Sequence, residues 1–164
     1  MNLENIILKS FVDLNDDEKS MVLIWRNNDD IRRWMYNPNV ISTKEHLKFI
    51  ETLVPDGNNL YFLIQQNSEN IGVIYFNEID CNNCCYFGLY ANPFSKVVGV
   101  GRVLEEVSIR YVFDILKIDT LKLEVFSANA QVVNLHKKYK FVEFKRKIIN
   151  KKEVICMELK NENR

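Results

Sequence analysis

The chain has 164 residues, 47% of them hydrophobic and 12% aromatic, with Lys plus Arg equal to Asp plus Glu at 22 each. A single domain of that length buries roughly 70% of its unfolded surface, so no disulfide framework or structural metal is needed to hold a core. Zero formal net charge excludes a general nucleic-acid-binding field, and no apolar run reaches the ~18 to 20 residues of a membrane-spanning helix. Met1-Asn2-Leu3-Glu4-Asn5 lacks the basic head and apolar block of a secretion signal, so a cytoplasmic location is expected.

In chain order, Asn5 to Val12 reads as a first strand. Asp16 to Trp25 reads as a helix, with Asp16, Asp17 and Glu18 in the first turn where the helix dipole favours negative charge. A short turn or helix follows through Met35. Ser42-Thr43-Lys44-Glu45 matches a capping box, so a helix starts there and carries Leu47, Phe49, Ile50 and Leu53 until Pro55-Asp56-Gly57 breaks it. Leu60 to Gln66, Ile71 to Ile79 and Cys84 to Ala91 are rich in β-branched and aromatic residues. They are separated by Asn67-Ser68-Glu69-Asn70 and by Cys81-Asn82-Asn83, which predicts an antiparallel meander at the sheet's centre.

From Val100, apolar residues recur at Val103, Leu104, Val107, Tyr111, Ile115 and Leu116, the spacing of one buried helix face. Leu121, Leu123 and Val125 then alternate with Lys122, Glu124 and Phe126 in a strand. Asn129 to Tyr139 reads as a helix, and Phe141 to Ile148 with Val154 to Leu159 closes the chain as a hairpin. No Pro/Gly/Ser-rich linker or internal repeat interrupts this order, so one domain over residues 1–164 is expected. Cys81, Cys84, Cys85 and Cys156 make no framework for a chain this long. Cys81 and Cys84 have one metal-like spacing, but no second Cys or His pair stands nearby to complete a tetrahedral site, so no metal is expected.

Lys96-Val97-Val98-Gly99-Val100-Gly101-Arg102 joins a strand to the long helix. The first amides of a helix lack intrahelical partners and the dipole is positive there, which makes an anion site. Gly99 and Gly101 let a diphosphate approach the backbone, and Lys96 and Arg102 add charge. The passage resembles the pyrophosphate loop of the GNAT N-acetyltransferases, Arg/Gln-x-x-Gly-x-Gly/Ala, with Lys96 keeping the charge at the first position. Asn129 to Phe141 aligns without gaps to that family's later motif, Asn-x-x-Ala-x-x-Leu-Tyr-x-x-x-Gly-Phe. Asn129, Leu135 and Phe141 match, while Val132, His136 and Lys140 stand where Ala, Tyr and Gly are usual. These two signals cover residues 84 to 141. Trp25-Arg26-Asn27, Arg33-Trp34-Met35-Tyr36, Ile41 to Ile50 and Phe87 to Phe94 extend the resemblance over nearly the whole chain, to the N-acetyltransferases of the pseudaminic acid pathway. Related Trp-Arg-Asn segments also occur in transferases that acetylate protein N-termini.

The resemblance implies a GNAT fold of the α+β class: a mixed, mainly antiparallel seven-stranded sheet, splayed between strands four and five and flanked by helices. It implies acetyl-CoA as co-substrate and direct transfer to the 4-amino group of a UDP-linked 4-amino-4,6-dideoxy-N-acetylaltrosamine, on the route to the sugar that decorates bacterial flagellin. Two other readings stay open, protein N-terminal or small-amine acetylation and a non-catalytic acyl-CoA-binding sensor. A homodimer also stays open.

Acetyl transfer to an amine requires a held thioester, a neutral amine, a stabilised oxyanion and a proton for the departing thiolate. The resemblance places the diphosphate on Val98, Gly99, Val100, Gly101 and Arg102, with Lys96 and Asn129 nearby. It places the pantetheine arm along Leu89, Tyr90 and Ala91, where an amide would polarise the thioester carbonyl. Glu124, an ionisable group in mid-strand, needs partners or water. It is expected to take a proton from the sugar ammonium or to orient the amine, with a structural ion pair as the alternative. His136, at the family's Tyr position, is the expected proton donor to the thiolate, and Tyr139 one turn later is the substitute. Arg26, Met35, Tyr36, His46, Phe49 and Tyr86 are expected to line the acceptor pocket, although Met35 and Phe49 taken singly read as core.

Overall fold

The computed structural model describes residues 3–54, 57–79 and 83–164. Seven strands, β1 (Ile6–Ser10), β2 (Leu60–Gln66), β3 (Glu69–Asn77), β4 (Cys84–Ala91), β5 (Thr120–Phe126), β6 (Val142–Ile149) and β7 (Lys152–Lys160), form one sheet in the order β1-β2-β3-β4-β5-β7-β6. All neighbours are antiparallel except β4 and β5. The expected mixed, mainly antiparallel sheet of seven strands is the one the chain adopts.

The parallel pair is also the incomplete one. β4 and β5 pair only at Cys84, Cys85 and Tyr86 against Thr120, Leu121 and Lys122. Beyond that point β4 stays bonded to β3 as far as Ala91, and β5 stays bonded to β7 as far as Phe126. Residues 87–91 and 123–126 therefore separate as edges of two intact half-sheets, which is the splay expected between strands four and five.

Helices α1 (Asp16–Asn27), α2 (Asp29–Arg32), α3 (Thr43–Thr52), α4 (Val100–Arg110) and α5 (Ala130–Lys138) flank the sheet. Strand alternation decides which face each side chain serves. Leu63 and Val73 pack with Val22, Trp25, Ile31 and Ile50 on the α1–α3 side. Ile64, Ile74, Leu121 and Leu123 pack with Leu104 and Val133 on the α4–α5 side. The capping box at Ser42 is present, the hydroxyl accepting from the Glu45 amide while the Glu45 carboxylate accepts from the Ser42 amide. α1 has a second one, built on Asn15 and Glu18.

Several boundaries differ from the sequence pattern, each for a local reason. β1 stops at Ser10 because Phe11–Asp13 coils into a 3-10 turn that buries Phe11. β3 starts at Glu69, ahead of Ile71, because Asn67 and Ser68 take positive φ (50° and 67°) and make a two-residue hairpin turn. Asn150 and Lys151 do the same between β6 and β7, which starts β7 at Lys152. The apolar stripe expected to run from Val100 through Ile115 and Leu116 turns at Tyr111–Leu116, because that segment is a π-helix whose i→i+5 winding shifts the face: Val112 and Phe113 are buried there, while Ile115 is 66% exposed. Pro55, Asp56, Cys81 and Asn82 lie outside the described residues, as do Met1 and Asn2. Among the described residues no helix is long and apolar enough to cross a membrane.

Candidate active site

The start of α4 depends on a backbone conformation that glycine adopts freely. Gly99, the residue before the first turn, has φ 84°, and among the described residues no heavy atom beyond its chain neighbours lies within 4 Å of the place a Cβ would occupy. Its carbonyl accepts from the amides of Arg102 and Val103 at 3.0 and 3.3 Å. The amides of Val100 and Gly101 precede any intrahelical acceptor, so the positive end of α4 is open. A Cβ on Gly101 would stand 3.4 Å from Leu135 Cδ2 of α5. Val98, 97% exposed, forms the crest of the loop, with exposed Lys96 beside it.

This helix start borders a cleft of about 930 Å³ that occupies the splay. On the α4–α5 side it is lined by Gly99, Gly101, Arg102, Asn129 and His136, and on the α1–α3 side by Met35 and Glu124. Leu89, Tyr90 and Ala91 form part of one wall. Their bonds run to β3, so their other backbone edge faces the gap and can take an extended chain as an added strand. The residues present therefore fit a diphosphate joined to an extended amide-bearing arm.

Glu124 carries its own partners into the cleft. The Tyr36 hydroxyl donates to Oε2 at 3.0 Å, Lys147 of β6 forms an ion pair with the same oxygen, and the Cys156 thiol lies 4.0 Å from it. Burial first, and Glu124 second, push the Tyr36 phenol up, so it stays a proton donor. The hydrogen bond to Glu124 raises the Lys147 ammonium, while Tyr86 is pushed up by burial and then by Glu124. Arg26 does not line the cleft. Its Nη2 donates to the Asn37 carbonyl at 2.7 Å and so anchors the segment that carries Tyr36.

His136 is buried on the cleft wall, with Nδ1 2.7 Å from Glu105 Oε1. Its ring meets Phe87 and Phe141 edge-on, at centroid distances of 5.9 and 5.7 Å. Besides Arg26, three of the sequence candidates sit elsewhere. Tyr139 turns away from the cleft, and its hydroxyl donates to the Arg102 carbonyl at 3.3 Å. His46 falls on the inward face of α3, where Nε2 lies 2.9 Å from the Lys19 carbonyl and ties α3 to α1. Phe49 packs edge-on against Tyr61 at 4.9 Å.

Other wall residues escaped the sequence reading. Gln131, Asn134 and Lys138 line the cleft at i, i+3 and i+7 of α5, a polar stripe that periodicity alone would have revealed. Tyr75 faces the cleft across Gly88, where a Cβ would stand 2.2 Å from its ring. That fit is a tertiary contact without a local signal. Among the described residues no group of three or more His, Cys, Asp or Glu side chains could hold a metal ion.

Comparison with known proteins agrees with this geometry. The family model described as "Acetyltransferase (GNAT) domain" matches residues 6–142. Over 136 residues, 83% of this chain and 84% of the relative, the chain is 43% identical to acetyltransferase PseH of Campylobacter jejuni subsp. jejuni serotype O:2. It is 40% identical, over the same shares, to acetyltransferase PseH of serotype O:23/36. The crystal structure of C. jejuni N-acetyltransferase PseH in complex with acetyl coenzyme A superposes with a TM-score of 0.78 at 33% identity, covering 95% of this chain and 99% of that one. A Vibrio cholerae spermidine N-acetyltransferase in complex with CoA and spermine superposes with a TM-score of 0.85 at 21% identity, covering 97% of each chain, and shares the fold.

Proposed function

The chain belongs to the GNAT acetyltransferase family and is an acetyl-CoA-dependent N-acetyltransferase, and we propose that its acceptor is the 4-amino group of a UDP-linked 4-amino-4,6-dideoxy-N-acetylaltrosamine. On this reading residues 1–164 act as one domain in the cytoplasm, in the pseudaminic acid pathway that supplies flagellin glycosylation. The observation that carries it is a cleft passing through the sheet, with an anion-ready helix start on one side and a buttressed carboxylate on the other. Identity of 43% and 40% to two PseH acetyltransferases supports the choice of acceptor.

Bound acetyl-CoA supplies the activated acetyl group. The amides of Val98, Gly99, Val100 and Gly101, with Lys96 and the Arg102 guanidinium, hold its diphosphate, and Asn129 closes that end; the Arg102 amide, expected to join them, is taken by the Gly99 carbonyl. Leu89, Tyr90 and Ala91 take the arm, and one of their amides polarises the thioester carbonyl. Oε2 of Glu124 is committed to Tyr36 and Lys147, so Oε1 accepts the charge-assisted hydrogen bond that orients the amine. Met35, Tyr36 and Tyr86 border the acceptor, and Arg26 keeps Tyr36 in place. His136 returns a proton to the thiolate.

Steady-state transfer to the sugar nucleotide, measured beside an N-terminal peptide and a polyamine, tests the reading. The sugar nucleotide is expected to have the highest kcat/KM by a wide margin. Preference for the peptide or the polyamine would overturn the assignment.

A further inference from the structure

Packing does not account for Glu105. It lies on α4 with no exposed surface, surrounded in sequence by the buried Val103, Leu104 and Val107. Its Oε1 meets His136 Nδ1 at 2.7 Å, and its Oε2 has no partner among the described residues. Removing a carboxylate from water and leaving one oxygen orphaned is a net cost that a leucine at this position would not carry. Its neighbour Glu106 behaves as a surface glutamate should, pairing with Arg110 one turn on at 3.1 Å. A Glu-Glu pair on an amphipathic helix reads as solvated, so only the fold distinguishes the two.

Building on the placement of His136 beside the departing sulfur, we infer that Glu105 is a positioning residue that fixes which nitrogen of His136 carries the proton. A carboxylate can only accept, so Nδ1 keeps its hydrogen and Nε2, the nitrogen left to the cleft, presents a lone pair. The edge-on contacts of Phe87 and Phe141 hold the ring in that plane. His136 thus enters the reaction as a proton acceptor, a part that the protonated phenol of the family's usual Tyr cannot play. Nε2 takes a proton from the acceptor's ammonium, directly or through one water, and leaves a neutral amine. The amine nitrogen bonds to the acetyl carbon, the carbon–sulfur bond breaks, and the second nitrogen proton passes to water. The imidazolium, its charge balanced by Glu105, then returns the first proton to the thiolate. Net, ammonium and thioester become amide, thiol and one released proton.

The test combines a spectrum with kinetics. The chain has two histidines, so ¹⁵N-imidazole NMR resolves His136 once His136→Phe has assigned the signals. The neutral ring of wild type is expected to show protonated Nδ1 and bare Nε2, and Glu105→Leu is expected to shift the neutral ring toward Nε2–H. Transfer to the UDP-linked 4-amino sugar should show kcat roughly 10²-fold lower in Glu105→Leu, with KM for acetyl-CoA unchanged. In a His136→Phe background the same substitution should cost nothing further. Where Glu105→Leu does not fold, Glu105→Gln keeps the volume, removes the charge and carries the same kinetic expectation. Nε2–H in the neutral ring of wild type, or an equal kcat loss in both backgrounds, overturns the inference. Full activity of Glu105→Leu beside an impaired His136→Phe overturns it alone, whereas full activity of His136→Phe removes the His136 assignment as well.

Discussion

Glu124 shows how a strand carboxylate is made usable. Tyr36 and Lys147 hold Oε2 from two separate elements, so the side chain meets a ligand already oriented, at no further entropic cost. A charge-assisted hydrogen bond contributes about 1.5 to 3 kcal/mol. Glu124→Gln is therefore expected to lower transfer to the sugar nucleotide about 10- to 100-fold, while calorimetry finds acetyl-CoA affinity unchanged, since the proposed coenzyme contacts lie across the splay. An unchanged transfer rate would remove Glu124 from the acceptor site. Its place on the cleft was legible because Leu123-Glu124-Val125 sets a charge inside a buried alternation. Its partner Lys147 was not, because the register of β6 on β7 shifts between Glu143 and Lys145, and a bulge inverts the face counted from either end. His46 and Phe49 were misplaced for a simpler reason. A capping box dates the start of α3 but does not say which face will meet α1.

At the scale of elements, the helix ends carry the clearest physical consequences. Lys140 follows α5 with φ 69°, at the point where the family's motif has Gly, so the family's preference is conformational and this chain bears the strain. An L-residue in that region costs roughly 1 kcal/mol, so Lys140→Gly should raise stability by about that much and Tm by about 2 to 4 °C. A thermal melt with no rise would show that the lysine compensates elsewhere. The clasp between α1 and α3 responds to acid. Burial lowers the pKa of His46 below the ordinary imidazole value, so the folded state favours its neutral form with Nε2–H donating to Lys19. That stability is present above the unfolded value of about 6.5 and is lost as pH falls through the lower folded value. Tm measured between pH 7 and pH 5 should fall more steeply in wild type than in His46→Gln. All seven strands, in chain order, followed from alternation and turn residues, whereas counting at an α-helical period put Ile115 on the buried face and missed the π-winding of Tyr111–Leu116, which buries Val112 and Phe113 instead.

For the whole molecule, the parting of β4 from β5 is the property on which the proposed function rests, and periodicity does not encode it. Nothing in residues 87–91 or 123–126 distinguishes a strand edge bonded to a neighbour from one left open, so the splay was foreseen through the family motifs. The parallel sense of that pair does follow from the chain, since α4 crosses over the sheet between them. A ligand lying in the gap replaces the missing ladder and joins the two half-sheets, so binding should register as global stability. Acetyl-CoA at 100 times its Kd contributes about 2.7 kcal/mol, which for a chain of this size is a Tm rise of roughly 5 to 10 °C. Gly101→Val separates this effect from intrinsic folding. Valine is a better helix residue than glycine, and Leu135 stands at contact distance, not closer, from the new Cβ, so the unliganded Tm should hold or rise. The γ-methyls instead crowd the side from which the diphosphate approaches, and the acetyl-CoA-dependent rise should vanish. A folded Gly101→Val protein that keeps the full rise would place the coenzyme's diphosphate away from the α4 start, and the splay would then need a different occupant.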